Sequence, residues 1–338
     1  MSAPEEPSRI KSPNDLVAAV PYLLGFHPHR CVVCVGVSTP AISVVTHQRL
    51  PETEGEQPDW DATATIISQQ SGNAFVIGYG PAVQIDAAVD ECAVAIAATG
   101  TDVTAAVRVD GGRIYCLGES CQCPPEGWPY NPDLSTLPAE ATLRGIAPLP
   151  DRAALAALLD PVTGDDHDRM QAATEAALHR FTTAIHESSP ARTGGSVAAW
   201  LAAGPLSTLA ADGITALHDA FAAAARGETL ADDQVAWLTV VLLIPEVFDH
   251  AWRACDGSDP HRALWIDVTR RATGRAAAPP ACLLAITAYL AGNGALADIA
   301  LDRVRDADPS LPLAQHVDRA LQAGIPPHLL RHVLTSLI

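Results

Sequence analysis

Cys116, Cys121 and Cys123 form a C-x4-C-x-C cluster and are the residues of this chain best suited to holding a metal ion. Thiolates are the soft ligands zinc prefers, and Pro124 and Pro125 would stiffen the loop that orients them. A closed site needs a fourth donor, which His27 or His29 could supply if the first helix–strand junction lies nearby. The spacing is not the C-x2-C pair of zinc ribbons, so the competing reading is three reduced thiols beside a surface loop. No cofactor is expected, with zinc on this cluster as the alternative. Glu126, Trp128 and Tyr130 follow in the same proline-rich segment and make it the candidate functional loop. The loop is expected to be ordered and packed against the first helix–strand junction, with its aromatic side chains carrying the contact.

Other motifs carry less. Cys31 and Cys34 match C-x-x-C, but they lie in an apolar β-branched run, where residues three apart point to opposite sheet faces. A redox pair would instead sit at a helix N-terminus. Gly78-Tyr79-Gly80-Pro81 stands between a strand and a helix, the context for phosphate binding. Val83 occupies the third glycine position of the dinucleotide fingerprint, however, and Pro81 removes a donor amide. Gly118-Glu119-Ser120-Cys121-Gln122 begins like a nucleophile elbow and lacks its closing glycine. Asp165-Asp166-His167-Asp168 reads as a solvated charge run opening a helix, where carboxylates favour the positive end. His250, His261, His316, His328 and His332 are scattered, with no H-E-x-x-H pair. No catalytic residue can be assigned from these patterns.

The elements that must position these residues divide the chain in two. Residues 12–26 open with Ser12 and Asn14 as helix caps, and Pro21 should kink or end that helix. CVVCVGV (31–37), AISVVTHQRL (41–50) and NAFVIGYG (73–80) read as strands, and Asp110-Gly111-Gly112 as a hairpin turn. From 168 onward the pattern is helical, including Met170 to Glu187, Ser196 to Ala203, Ile214 to Arg226, Asp232 to Leu243, Pro260 to Arg271 and Ala281 to Ala307. The last of these holds a tetratricopeptide-like helix pair, present in one copy. The expected architecture is an α/β half followed by an all-α half: a disordered tail over 1–11, an α/β domain over 12–160 and a helical domain over 161–338.

Composition limits the function classes. Of 338 residues, 48% are apolar and 18% are charged. That balance excludes a disordered chain. The 39 acidic residues outweigh the 21 basic ones, and the formal charge of −18 opposes binding to nucleic acid or anionic membrane. Lys11 is the sole lysine, so P-loop, Schiff-base and Ser-Lys chemistry are disfavoured. The N-terminus lacks the apolar stretch of a signal peptide, and a cytoplasmic protein is expected.

Three stretches together resemble a known family: DLVAAVPYLLGFHP (15–28), CPPEGWPY with TLRGIAPLPDRAALAALLDP (123–161), and PHRALWIDVTRRA through AGNGALADIALDRVRDADPSL (260–311). The chain resembles the actinobacterial domain of unknown function 4192 over most of its length. His29-Arg30-Cys31 and the Trp128 that follows Glu126-Gly127 depart from the pattern of that family. The resemblance implies kinship and brings no catalytic residues with it. The function expected from the residues is a non-catalytic binding or regulatory module acting through a protein partner. The alternative is a small-molecule enzyme of hydrolase or transferase type, with a site between the two halves.

Overall fold

A computed structural model describes residues 12–38, 41–51, 58–118, 123–143, 147–187 and 205–337. The chain divides into two compact units, Met1–Leu155 and Ala156–Ile338. The tail over 1–11 and the helix expected over Ser196 to Ala203 lie outside the described residues.

In the first unit, helix α1 (Pro13–Leu24) starts at Ser12, whose hydroxyl accepts the Asp15 amide at 3.1 Å. The helix continues through Pro21, so of the kink or end expected there the end does not occur. It stops only at Gly25, a left-handed cap whose amide reaches Pro21 O at 2.8 Å. Strands β1 (Cys31–Ser38), β2 (Ala41–Arg49), β3 (Asn73–Tyr79), β4 (Asp102–Asp110), β5 (Arg113–Cys116) and β6 (Trp128–Pro129) form one mixed sheet in the order β2-β1-β3-β4-β5-β6. Only β3 and β4 are parallel, because helix α3 (Ala82–Ala98) supplies the crossover between them. Helix α2 (Trp60–Gln70) packs beside α3 on the same face. The core between them contains Val32, Cys34, Val76, Ile67, Ile85, Val89 and Cys92. Gly78 is required here by space: a Cβ on it would lie 2.1 Å from the Ile85 side chain and 2.6 Å from Val89. The strand–helix junction is therefore read as close packing. The β4–β5 hairpin turns through Gly111 and Gly112, both at positive φ, as Asp-Gly-Gly requires.

Period-two alternation also settles the two strand cysteines. Cys34 joins the helix-covered face, where its sulfur lies 3.3 Å from that of Cys92. Cys31, three residues away, points to the other face. All three are buried free thiols, and burial pushes Cys31 up to about 12. On this second face Phe26, just past α1, meets His47 of β2 edge to face, with centroids 5.3 Å apart. Short helices α4 (Leu137–Leu143) and α5 (Arg152–Ala157) follow β6.

The second unit is helical throughout its described residues: α6 (Asp165–Glu187), α7 (Pro205–Ala225), α8 (Asp232–Val241), α9 (Pro245–Ala254), α10 (Asp259–Arg271), α11 (Ala278–Leu290), α12 (Gly294–Ala307), α13 (Pro312–Gln322) and α14 (Pro327–Leu337). Every residue of α11 up to Tyr289 is buried, so this helix is the unit's core. The stretch Ala281 to Ala307 falls on two successive helices, α11 and α12. Gly292 adopts φ +77 and Asn293 caps α12 through the Leu296 amide at 2.9 Å, which produces the expected hairpin. Pro245 follows the apolar run Trp237 to Ile244. It stands at the first position of α9, where a missing amide costs nothing. Helices α8 and α9 bend there by 109°. No single helix among the described residues is long and apolar enough to cross a membrane.

Candidate functional site

The loop after β5 is held by backbone pairing. Arg113 on β5 pairs with Pro129 and Ile114 pairs with Trp128, which makes β6 an antiparallel edge. The Arg113 guanidinium also donates through Nε to Glu126 O at 2.6 Å and through Nη2 to Gly127 O at 2.8 Å. Between them, Pro124 O accepts the Gly127 amide at 2.8 Å, closing a turn. Gly127 sits at φ +69 with Ile114 O only 2.6 Å from where a Cβ would be. This position demands glycine. Downstream, the Tyr130 amide reaches Gly112 O at 2.8 Å. Asn131 and Asn14 exchange hydrogen bonds at 2.9 and 3.2 Å, tying the loop to the first turn of α1.

The segment also reaches the end of α1, where Tyr130 stands near Tyr22, and Asn131 ties it to the start of that helix. It differs from the expected anchoring in that its indole does not carry the contact. Trp128 is 45% exposed, because the edge-strand position turns its side chain outward. Glu126 is exposed beside it, while Tyr130 is half-buried, and burial followed by the nearby Tyr22 raises its hydroxyl. Arg113→Ala should therefore loosen residues 124–131, with faster hydrogen exchange at Gly127 and Tyr130 and a stability loss of about 1–2 kcal/mol. Trp128→Ala should change stability by less than about 0.5 kcal/mol. A Trp128→Ala variant that frees those amides as much as Arg113→Ala does would refute this account of the loop.

The proposed zinc donors are dispersed in kind. Cys116 is a free, half-buried thiol at the end of β5. Cys123 is in a disulfide, which removes its thiolate, and Cys121 lies outside the described residues. His27 is exposed after α1, where its amide donates to Leu149 O at 2.9 Å. No group of three or more His, Cys, Asp or Glu side chains converges among the described residues. The Ser120 elbow likewise lies outside them.

Sequence reading missed a charged network in the helical unit. Arg271 donates to Asp232 at 2.9 Å, Asp267 at 2.6 Å and Leu230 O at 2.7 Å. Arg169 bridges Asp166 at 2.6 Å and Asp232 at 3.3 Å. These residues line an open depression of about 220 Å³ with Val162, Met170 and Thr229. Their charges are largely satisfied by one another, so the network joins α6, α8 and α10. Asp165 and Asp166 do open a helix as expected, with Asp166 engaged by Arg169 one turn on.

Comparison with curated protein sequences and with solved structures gives no match for this chain. The family whose description reads "Domain of unknown function (DUF4192)" matches residues 13–328. Nearly the whole chain, both units included, falls within that match, and the chain belongs to this family.

Proposed function

We propose that the chain is a non-catalytic binding module that acts in the cytoplasm through a protein partner. The observation that carries this reading is the rigid outward presentation of apolar groups between residues 125 and 134. Pro125, Trp128, Pro129, Pro132 and Leu134 are all exposed, with Leu134 at 77%, on backbone locked by β6, Arg113 and Asn14. A large indole held on fixed backbone loses little entropy on docking, and such residues dominate binding energy at protein interfaces. The neighbouring carboxylate of Glu126 and the overall charge of −18 favour a protein over a nucleic acid as partner. Buried free thiols at Cys31, Cys34, Cys92, Cys255 and Cys282, used as small apolar fillers, support the cytoplasmic reading, while the disulfide at Cys123 opposes it.

The test is affinity capture from cells that naturally make the chain, comparing it with Trp128→Ala/Leu134→Ala. One protein should be retained in stoichiometric amount by the unaltered chain and lost by the double variant, while both chains keep the same circular dichroism. Equal retention by both would refute the loop as the docking surface.

A further inference from the structure

His218 on α7 and His250 on α9 bring their Nε2 atoms to 3.1 Å. Their ring centroids are 5.2 Å apart and the ring planes cross at 63°. The two helices pack against each other, so the juxtaposition is set by the fold of the helical unit. At that distance the N–H of one imidazole can point at the lone pair of the other, with the tautomers setting the direction. That separation is also the bite of a two-imidazole chelate: nitrogens about 2.0–2.1 Å from one zinc ion at a tetrahedral angle lie about 3.3 Å apart. Binding would require the donor ring to change tautomer, its proton moving from Nε2 to Nδ1, after which a small rotation turns both Nε2 lone pairs toward a shared ion.

The surroundings favour a cation. His218 is exposed and His250 half-buried, which leaves the open side of the pair to water. Glu246, exposed one helical turn before His250, adds negative charge to the same helix without converging on the pair. The net charge of −18 raises the local concentration of cations. Neutral imidazole nitrogen selects zinc, nickel and copper over magnesium and calcium, which prefer oxygen. We infer that His218 and His250 form a two-imidazole site for a divalent cation of the zinc, nickel or copper class, with water completing its shell. The site stands independently of the protein-binding loop, because it uses none of that loop's residues.

Calorimetric titration of the chelator-stripped full chain with zinc chloride tests the site. One saturable zinc per chain is expected, with no heat from magnesium chloride, and zinc should raise the thermal midpoint. His218→Gln and His250→Gln should each abolish both effects. On the unaltered chain, substoichiometric copper should broaden amide resonances around His218 and His250 first. Absence of saturable binding, undiminished binding in both variants, or broadening centred on the Cys116 loop would overturn the assignment.

Discussion

Trp265→Ala should lower the stability of the helical unit by about 3–5 kcal/mol, the usual cost of removing a large buried aromatic. Trp265 on α10 has no exposed surface and is among the largest fully buried side chains. Phe221 of α7 meets it edge to face at 5.8 Å and 89°. Its indole N–H has no oxygen or nitrogen partner, and neither does the Thr287 hydroxyl on α11. Both lie against the sulfur of Cys255, a diffuse acceptor, and oppose the burial that pushes this thiol up to about 12. Truncation would therefore open a cavity where α7, α10 and α11 meet and strip Cys255 of a polar neighbour. Trp265→Phe should cost less, about 1–2 kcal/mol, since a ring remains against Phe221 while the N–H is lost. Urea unfolding followed by far-UV circular dichroism measures both. A Trp265→Ala loss under about 1 kcal/mol would mean that the core collapses around the gap and that Trp265 is not its keystone.

The division into an α/β unit and a helical unit was legible because each leaves a different period in the sequence. Buried strands such as β1 are unbroken β-branched runs, whereas α12 and α13 alternate apolar and charged residues around each turn. The β4–β5 hairpin was equally plain, since Gly111 and Gly112 supply the two positive φ values such a turn needs. Helix α9 escaped notice because proline both ends and begins helices. Only the 109° bend between α8 and α9 shows which role Pro245 has.

The candidate site was legible as a segment but not as a structure. A proline-rich loop with two aromatics suggests burial, yet Trp128 falls on an edge strand and faces outward. Arg113, which holds the loop, carries no local signature; its role appears only when strand register sets it beside Glu126 and Gly127. His218 and His250 are 32 residues apart on different helices, and no spacing rule joins them. Contacts set by the relative rotation of two elements lie beyond what a one-dimensional period can encode.

The first unit should also lose stability in mild acid through His47. Burial lowers the pKa of this imidazole from 6.5 to about 4, helped by the positive charges of Arg152 and Arg49. The ring sits on β2 opposite Val33 and against Phe26, so protonation would place a cation between an aromatic edge and two guanidinium groups. A histidine depressed on folding binds its proton more readily in the unfolded chain. Its contribution is complete above pH 6.5, declines as the pH falls, and is gone near pH 4. At about 1.4 kcal/mol per pH unit the ceiling is about 3 kcal/mol, and the partly exposed ring brings the expected loss to about 2 kcal/mol. His261, lowered chiefly by burial, acts with the same sign in the helical unit, so the wild-type curve alone is ambiguous. The lowered carboxylates Asp249, Asp256 and Glu228 start from 3.8, 3.8 and 4.5, and their losses begin only at the acid end of this window. The difference between the unaltered chain and His47→Gln isolates the ring. Urea midpoints of the first unit, read at pH 7, 6, 5 and 4.5 (about the span of the His47 transition), should converge as the pH falls. Parallel curves would show that His47 titrates normally and that its packing against Phe26 does not exclude the proton.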